Sequence, residues 1–172
     1  MTIERRAAAA EIRAAGRRLE GHAALFNVEA RIGNMVEIIA PHAFASSLRG
    51  KADILALVDH DATRLLARTR SGTLRLAEDA RGLAFDLDLP DTGPARDVLA
   101  LAERGDLGGM SFGFRVKPGG EVWDGNRRTL RGVDLVEISI VQSWPAYEGT
   151  SVAARSLPIV AAPAAVLARW RV

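Results

Sequence analysis

Three histidines, no cysteine, and one serine set among glycines restrict the chemistry open to this chain. Without cysteine there are no thiolate nucleophiles, thiolate metal sites or disulfides. His22 lies in an apolar first strand and His42 follows Pro41 at a loop entry, and both read as structural. His60 differs, because it ends an apolar run and stands between Asp59 and Asp61. It is either a solvated polar strand end or a general base. A metal reading of His60 with Asp59 or Asp61 lacks a second ligand pair at a recognised spacing, so no metal or cofactor is expected.

Ser111 sits in Gly108-Gly109-Met110-Ser111-Phe112-Gly113-Phe114. Period-2 alternation puts Met110, Phe112, Phe114 and Val116 on one strand face and Ser111 with Gly113 on the other. Small neighbours suit a nucleophile that a substrate backbone must approach; they equally suit close packing. The segment is not read as a strand-to-helix nucleophile elbow. Glu137 lies inside Val133–Val141, where apolar residues occupy both parities, so both faces of that strand are covered. A buried carboxylate needs a partner, either one of the many arginines or an imidazole that it orients. Asp134 is three residues away with opposite parity, so the two acids are not expected to face one imidazole. Of the two lysines, Lys117 is six residues beyond Ser111, roughly 20 Å along a strand and too far to activate it. Nothing recommends Lys51.

The elements that must position these residues are short. Residues 3–19 combine Ala, Glu and Arg with few apolar side chains, which gives a poor helix and a detachable arm. β-type runs follow at Gly21–Phe26, Met35–Ile39, Ala52–Val58, Leu65–Thr69, Thr73–Ala77, Leu83–Leu89, Met110–Val116 and Val133–Val141, with a hairpin at Arg70-Ser71-Gly72. Phe44–Leu48 is a short helix. Pro94–Arg104 is a longer one, with Thr92 as N-cap and Gly105 as its stop. The pattern predicts a mainly β (α+β) domain, a small closed or nearly closed β-barrel with peripheral helices.

Length and charge divide the 172 residues into a basic arm (1–18, net +3), a barrel domain (19–154, net −4) and an Ala/Pro-rich basic tail (155–172, net +3). A mildly acidic centre argues against nucleic-acid binding, whose footprint is a basic face. No apolar run approaches the ~18 residues of a membrane span. The arginine-rich start does not read as a secretory signal, and the cytoplasm is the expected location.

Four ordered runs carry a resemblance: Gly33-Asn34-Met35-Val36-Glu37-Ile38-Ile39-Ala40-Pro41, Val58-Asp59-His60-Asp61, Gly108-Gly109-Met110-Ser111-Phe112-Gly113-Phe114 and Val136-Glu137-Ile138-Ser139. Over roughly 20–155 the chain resembles the prohead (procapsid maturation) serine proteases of tailed bacteriophages. That family looks distantly related to the herpesvirus assemblin proteases. The resemblance implies a β-barrel of the herpesvirus-protease type, His60 as general base and Ser111 as nucleophile. The herpesvirus relatives carry a second histidine after the serine. Here no histidine follows His60, and Glu137 matches the position at which phage members carry an acid.

The implied activity is a serine endopeptidase that cleaves scaffold or the capsid protein's scaffolding segment during procapsid maturation. It would also cut itself, after about Arg155 and, as a second site, before Leu19. The implied partners are the major capsid protein and scaffold, and the implied place is the assembling procapsid in the host cytoplasm. A homodimer or higher oligomer is left open. Backbone N–H groups near Gly108–Gly109 or in the Asp124–Arg128 loop are candidate oxyanion donors. The competing reading is a non-catalytic, scaffold-binding barrel derived from such a protease.

Overall fold

The computed structural model describes residues 2–8, 10–50 and 52–143. In chain order the strands are β1 (Glu4–Ala8), β2 (Ile12–Ala15), β3 (Arg18–Leu25), β4 (Ala30–Ile32) and β5 (Met35–Ile39), followed by helix α1 (Ala45–Arg49). Strands β6 (Leu55–Val58), β7 (Asp61–Arg68), β8 (Leu74–Glu78) and β9 (Gly82–Asp88) precede helix α2 (Gly93–Arg104). The series ends with β10 (Gly109–Val116), β11 (Glu121–Asp124), β12 (Arg127–Leu130) and β13 (Val133–Val141).

These strands form three sheets, ordered β1-β10-β13-β6-β7, β2-β3-β9-β8 and β11-β12-β5-β4. β13 runs parallel to β6 and β12 parallel to β5; the other pairs are antiparallel. The mainly β class agrees with the sequence reading. A closed barrel does not: each sheet among the described residues ends in two strands that do not pair with each other. The chain leaves one sheet for another where a hairpin was expected, at Arg70-Ser71-Gly72. There Asp53 accepts hydrogen bonds from the Arg68 side chain and the Arg70 N–H, and Thr69 N–H bonds Ile54 O. The turn is thus tied back to residues 53–54, and β7 and β8 fall in different sheets.

Residues 3–19 depart from the expected detachable arm. β1 pairs with β10, and β2 with β3. The reason is tertiary. Buried Arg128 bonds Glu4 and Glu37, and Arg6 bonds the same two carboxylates, so the polar residues of β1 are paired across to the third sheet. Arg6 also stacks its guanidinium over the Phe114 ring, 5.5 Å from the centroid. Desolvation opposes the charge on Arg6, but its bonds to Glu37 and Glu4 outweigh it and raise its pKa. Chain before Leu19 is therefore built into the sheets. Residues 155–172, expected as a tail, lie outside the described residues.

The core fills from one face of β10. Phe112 and Phe114 stack at 5.3 Å, Phe44 meets Phe112 edge-on at 5.5 Å, and Phe26 lies 6.3 Å from Phe44. This leaves Ser111 and Gly113 on the opposite face, as alternation predicts. Thr92 stands at the N-cap of helix α2, although its side chain makes no capping bond, and Gly105 stops the helix in the left-handed region (φ 74°).

Candidate active site

His60 owes its position to a tight turn. Val58 pairs with Asp61, which leaves Asp59 and His60 as the two central residues of a hairpin loop. Both have positive φ, 50° and 61°, the hallmark of the type I′ turn that matches strand twist. Neither is glycine, so each carries a cost of about 1–2 kcal/mol. Bonds to the neighbouring β13 offset that cost at about 1 kcal/mol each. Asp59 N–H bonds Ile140 O (3.0 Å), His60 N–H bonds Ser139 Oγ (3.2 Å), and Gln142 N–H bonds Asp59 Oδ1 (3.0 Å). Arg64 braces the turn from β7 through Asp59 and Gln142. Strain held by its surroundings in this way is characteristic of functional sites.

Cross-strand register brings the other residues to one side of the first sheet. One row runs Ala7, Ser111, Ser139; the next runs Arg5, Gly113, Glu137. Opposed residues of antiparallel strands share a face with Cβ atoms about 4.5–5.5 Å apart. Gly113 supplies a notch: a Cβ there would lie 3.1 Å from Glu137 Cδ and 3.2 Å from Cγ. In that notch the buried Glu137 carboxylate sits with Oε1 2.7 Å from His60 Nδ1 and Oε2 accepting from Ser139 Oγ at 2.6 Å.

The chemistry follows from the donor inventory. An ionised carboxylate only accepts, so a neutral His60 facing it carries its proton on Nδ1 and presents the Nε2 lone pair. Ser111 is fully buried, and its Oγ has no hydrogen-bond partner among the described residues. Buried hydroxyls are almost always paired, so an orphan on the same sheet face as an oriented imidazole is the feature that calls for a chemical explanation. No hydrogen bond joins Ser111 to His60 here; contacts of this kind often tighten only when substrate binds.

The structure thus brings His60 and Glu137 into contact and puts Ser111 on the same face. It separates Asp134, although not for the reason expected. A bulge at Val136, between the Gly113–Glu137 and Phe114–Leu135 pairs, resets the alternation and puts Asp134 opposite Arg115. Asp134 then pairs with Lys117 at 3.1 Å, and Lys117 also donates to Ser46 Oγ. Lys51 lies outside the described residues. Arg5, the nearest arginine to Glu137 among the described residues, is 3.9 Å away, so the imidazole and Ser139 are its closer partners.

His22 bonds Asp79 at 2.7 Å on the second sheet, and that bond, with the Gly82 and Arg81 N–H groups, pulls the Asp79 carboxyl down to about 2. His42 is exposed, 3.6 Å from Glu78. Of the oxyanion candidates, Gly108 N–H is already donated to Val141 O, and residues 124–128 lie in the β11–β12 hairpin of the third sheet. Among the described residues no three His, Asp or Glu side chains converge as metal ligands, and no helix is long and apolar enough to cross a membrane.

Sequence reasoning missed Asp59 as the anchor of the turn and Ser139 as the second partner of Glu137. The signals were present: two polar residues between β-type runs mark a two-residue loop, and Glu137 and Ser139 share a face by period 2. It also missed that Gly109-Met110-Ser111-Phe112-Gly113 spells G-x-S-x-G. The spelling has no elbow geometry, because Ser111 is mid-strand and paired on both sides.

A comparison with protein families matches residues 2–162 to the family described as Caudovirus prohead serine protease. No curated protein and no solved structure matches the chain.

Proposed function

Because the chain belongs to the caudovirus prohead serine protease family, whose role is capsid maturation inside the procapsid, we propose that it is an active serine endopeptidase working through Ser111, His60 and Glu137. The observation that carries this reading is the buried Ser111 hydroxyl, unpartnered among the described residues, on the face where Glu137 holds His60 by Nδ1.

Ser111 Oγ attacks the scissile carbonyl while His60 Nε2 takes its proton. Glu137, bonded to Nδ1, stabilises the imidazolium. The tetrahedral intermediate collapses as the imidazolium gives its proton to the leaving amine, which leaves an acyl-enzyme on Ser111. Water then attacks the ester, His60 takes the water proton and returns one to Ser111 Oγ, and the carboxylic acid product departs. The substrates are the scaffold or the scaffolding segment of the major capsid protein, met in procapsids assembling in the host cytoplasm.

Self-cleavage after about Arg155 belongs to the same reading. A cut before Leu19 is less favoured, since β1 and β2 are hydrogen-bonded into sheets and a protease needs an extended, unpaired segment.

The test is co-expression with the capsid protein, followed by intact-mass measurement. Wild type should shorten the capsid protein and Ser111→Ala should leave it at full length. Equal shortening by both proteins would remove Ser111 from the mechanism.

A further inference from the structure

We propose that Ser139 is a positioning residue that fixes both partners of the Glu137–His60 pair; the proposal rests on the protease reading above. The Ser139 side chain is fully buried and stands directly across from Ser111 in the register of β10 and β13. Its single O–H donates to Glu137 Oε2 at 2.6 Å, and its oxygen accepts the His60 N–H at 3.2 Å.

A hydroxyl is the smallest group that can do both at once. The bond to Oε2 settles which carboxylate oxygen remains for Nδ1 and stops the carboxylate rotating in the Gly113 notch. The bond from His60 N–H holds the backbone of a residue whose φ is 61°. Each end of the imidazole–carboxylate contact is therefore referred to one atom, Ser139 Oγ. A plain packing role would need only a small side chain; it would not need a donor and an acceptor aimed at these two groups. Removing the hydroxyl leaves a carboxylate oxygen and an N–H buried without partners, which the site can relieve only by moving Glu137, turning the hairpin tip, or admitting water.

The experiment uses the full chain with purified capsid protein under single-turnover conditions. Ser139→Ala should slow the cleavage step about 10- to 100-fold, the effect of displacing a catalytic group by an ångström or less. The enzyme concentration giving half-maximal rate should change little, because Ser139 does not reach substrate. Rates are normalised to the folded fraction from near-UV circular dichroism. Ser139→Cys, which keeps a weak donor at similar size, should fall between wild type and Ser139→Ala.

A second readout does not depend on turnover. In the Ser111→Ala background, the His60 Nδ1 proton should give a far-downfield, slowly exchanging NMR signal. Adding Ser139→Ala should shift that signal upfield or exchange-broaden it.

A Ser139→Ala rate equal to wild type, with Ser111→Ala inactive, overturns this proposal and leaves the protease reading intact. So does a rate loss no greater than the loss of folded protein, or an unchanged Nδ1 signal. Cleavage by Ser111→Ala at the wild-type rate instead overturns the protease reading itself.

Discussion

Gly113→Ala probes the site at its tightest point. The backbone of Gly113 is not in the left-handed region, so only the added methyl matters. A Cβ built there meets Glu137 Cδ at 3.1 Å and Cγ at 3.2 Å, and it falls about 1 Å inside an ordinary carbon–oxygen contact with Oε1. β10 is held on both sides by β1 and β13, so the carboxylate is the part that moves. A shift of about 1 Å takes the 2.7 Å bond to His60 past the limit of a hydrogen bond.

Misplacement on that scale costs about 10²-fold in rate, or ~2.7 kcal/mol of transition-state stabilisation. Overpacking should lower fold stability by about 1–3 kcal/mol. Gly132, where an added Cβ meets only Gly120 Cα at an ordinary 3.6 Å, is the control. Gly132→Ala should change stability by no more than about 0.5 kcal/mol. The assay pairs urea unfolding with the rate of capsid-protein cleavage, scaled to folded enzyme. Glu137→Asp retracts the carboxylate by one methylene, so Gly113→Ala with Glu137→Asp should be more stable than Gly113→Ala alone. A Gly113→Ala enzyme with wild-type rate and stability would refute the notch and the carboxylate geometry drawn from it.

Glu137→Gln should keep the fold and lose on the order of 10⁴ in rate, whereas Asp134→Asn, which loses only its tie to Lys117, should lose little; the same cleavage assay ranks them. Arg128→Ala takes one cationic partner from the buried Glu37 but leaves Arg6 bonded to it, and chemical denaturation should register a loss of about 1.5–3 kcal/mol. The Asp79 carboxyl is pulled down to about 2, chiefly by the His22 hydrogen bond, so its contribution is complete above its ordinary range near 3.8 and is lost as pH falls through about 2. Asp79→Asn should accordingly flatten the fall in melting temperature over that acid window.

Much of the framework was legible because period-2 patterning is strong where strands are buried. The spans Met35–Ile39 and Val133–Val141 coincide with β5 and β13, and the face carrying Ser111 follows from the alternation of Met110, Phe112 and Phe114. The pairing of an acid with His60 came from matching Glu137 by position; the contact itself could not be read from spacing, since 77 residues separate the two.

What failed has physical causes. β1 and β2 are built from Ala, Arg and Glu, residues whose local preference is helical. β1 becomes a strand because Arg6 and Glu4 find Glu37 and Arg128 on another sheet, and β2 because it pairs with β3 and packs Ile12 and Ala14 against the core; no local pattern encodes either. The parity argument against Asp134 failed because a bulge at Val136 shifts the alternation by one residue. The expected hairpin failed because the turn after β7 is tied to Asp53 and Ile54, which puts β7 and β8 in different sheets.

The central claim is that His60 and Glu137 activate Ser111, and covalent labelling by a fluorophosphonate tests it most directly. The purified full chain is incubated with the probe and read by intact mass and peptide mapping. The account predicts one adduct, on Ser111, formed at least a hundredfold more slowly in His60→Ala and in Glu137→Gln. Labelling at another serine, labelling of Ser111 at the same rate without His60, or an unlabelled protein that still shortens the capsid protein would contradict it.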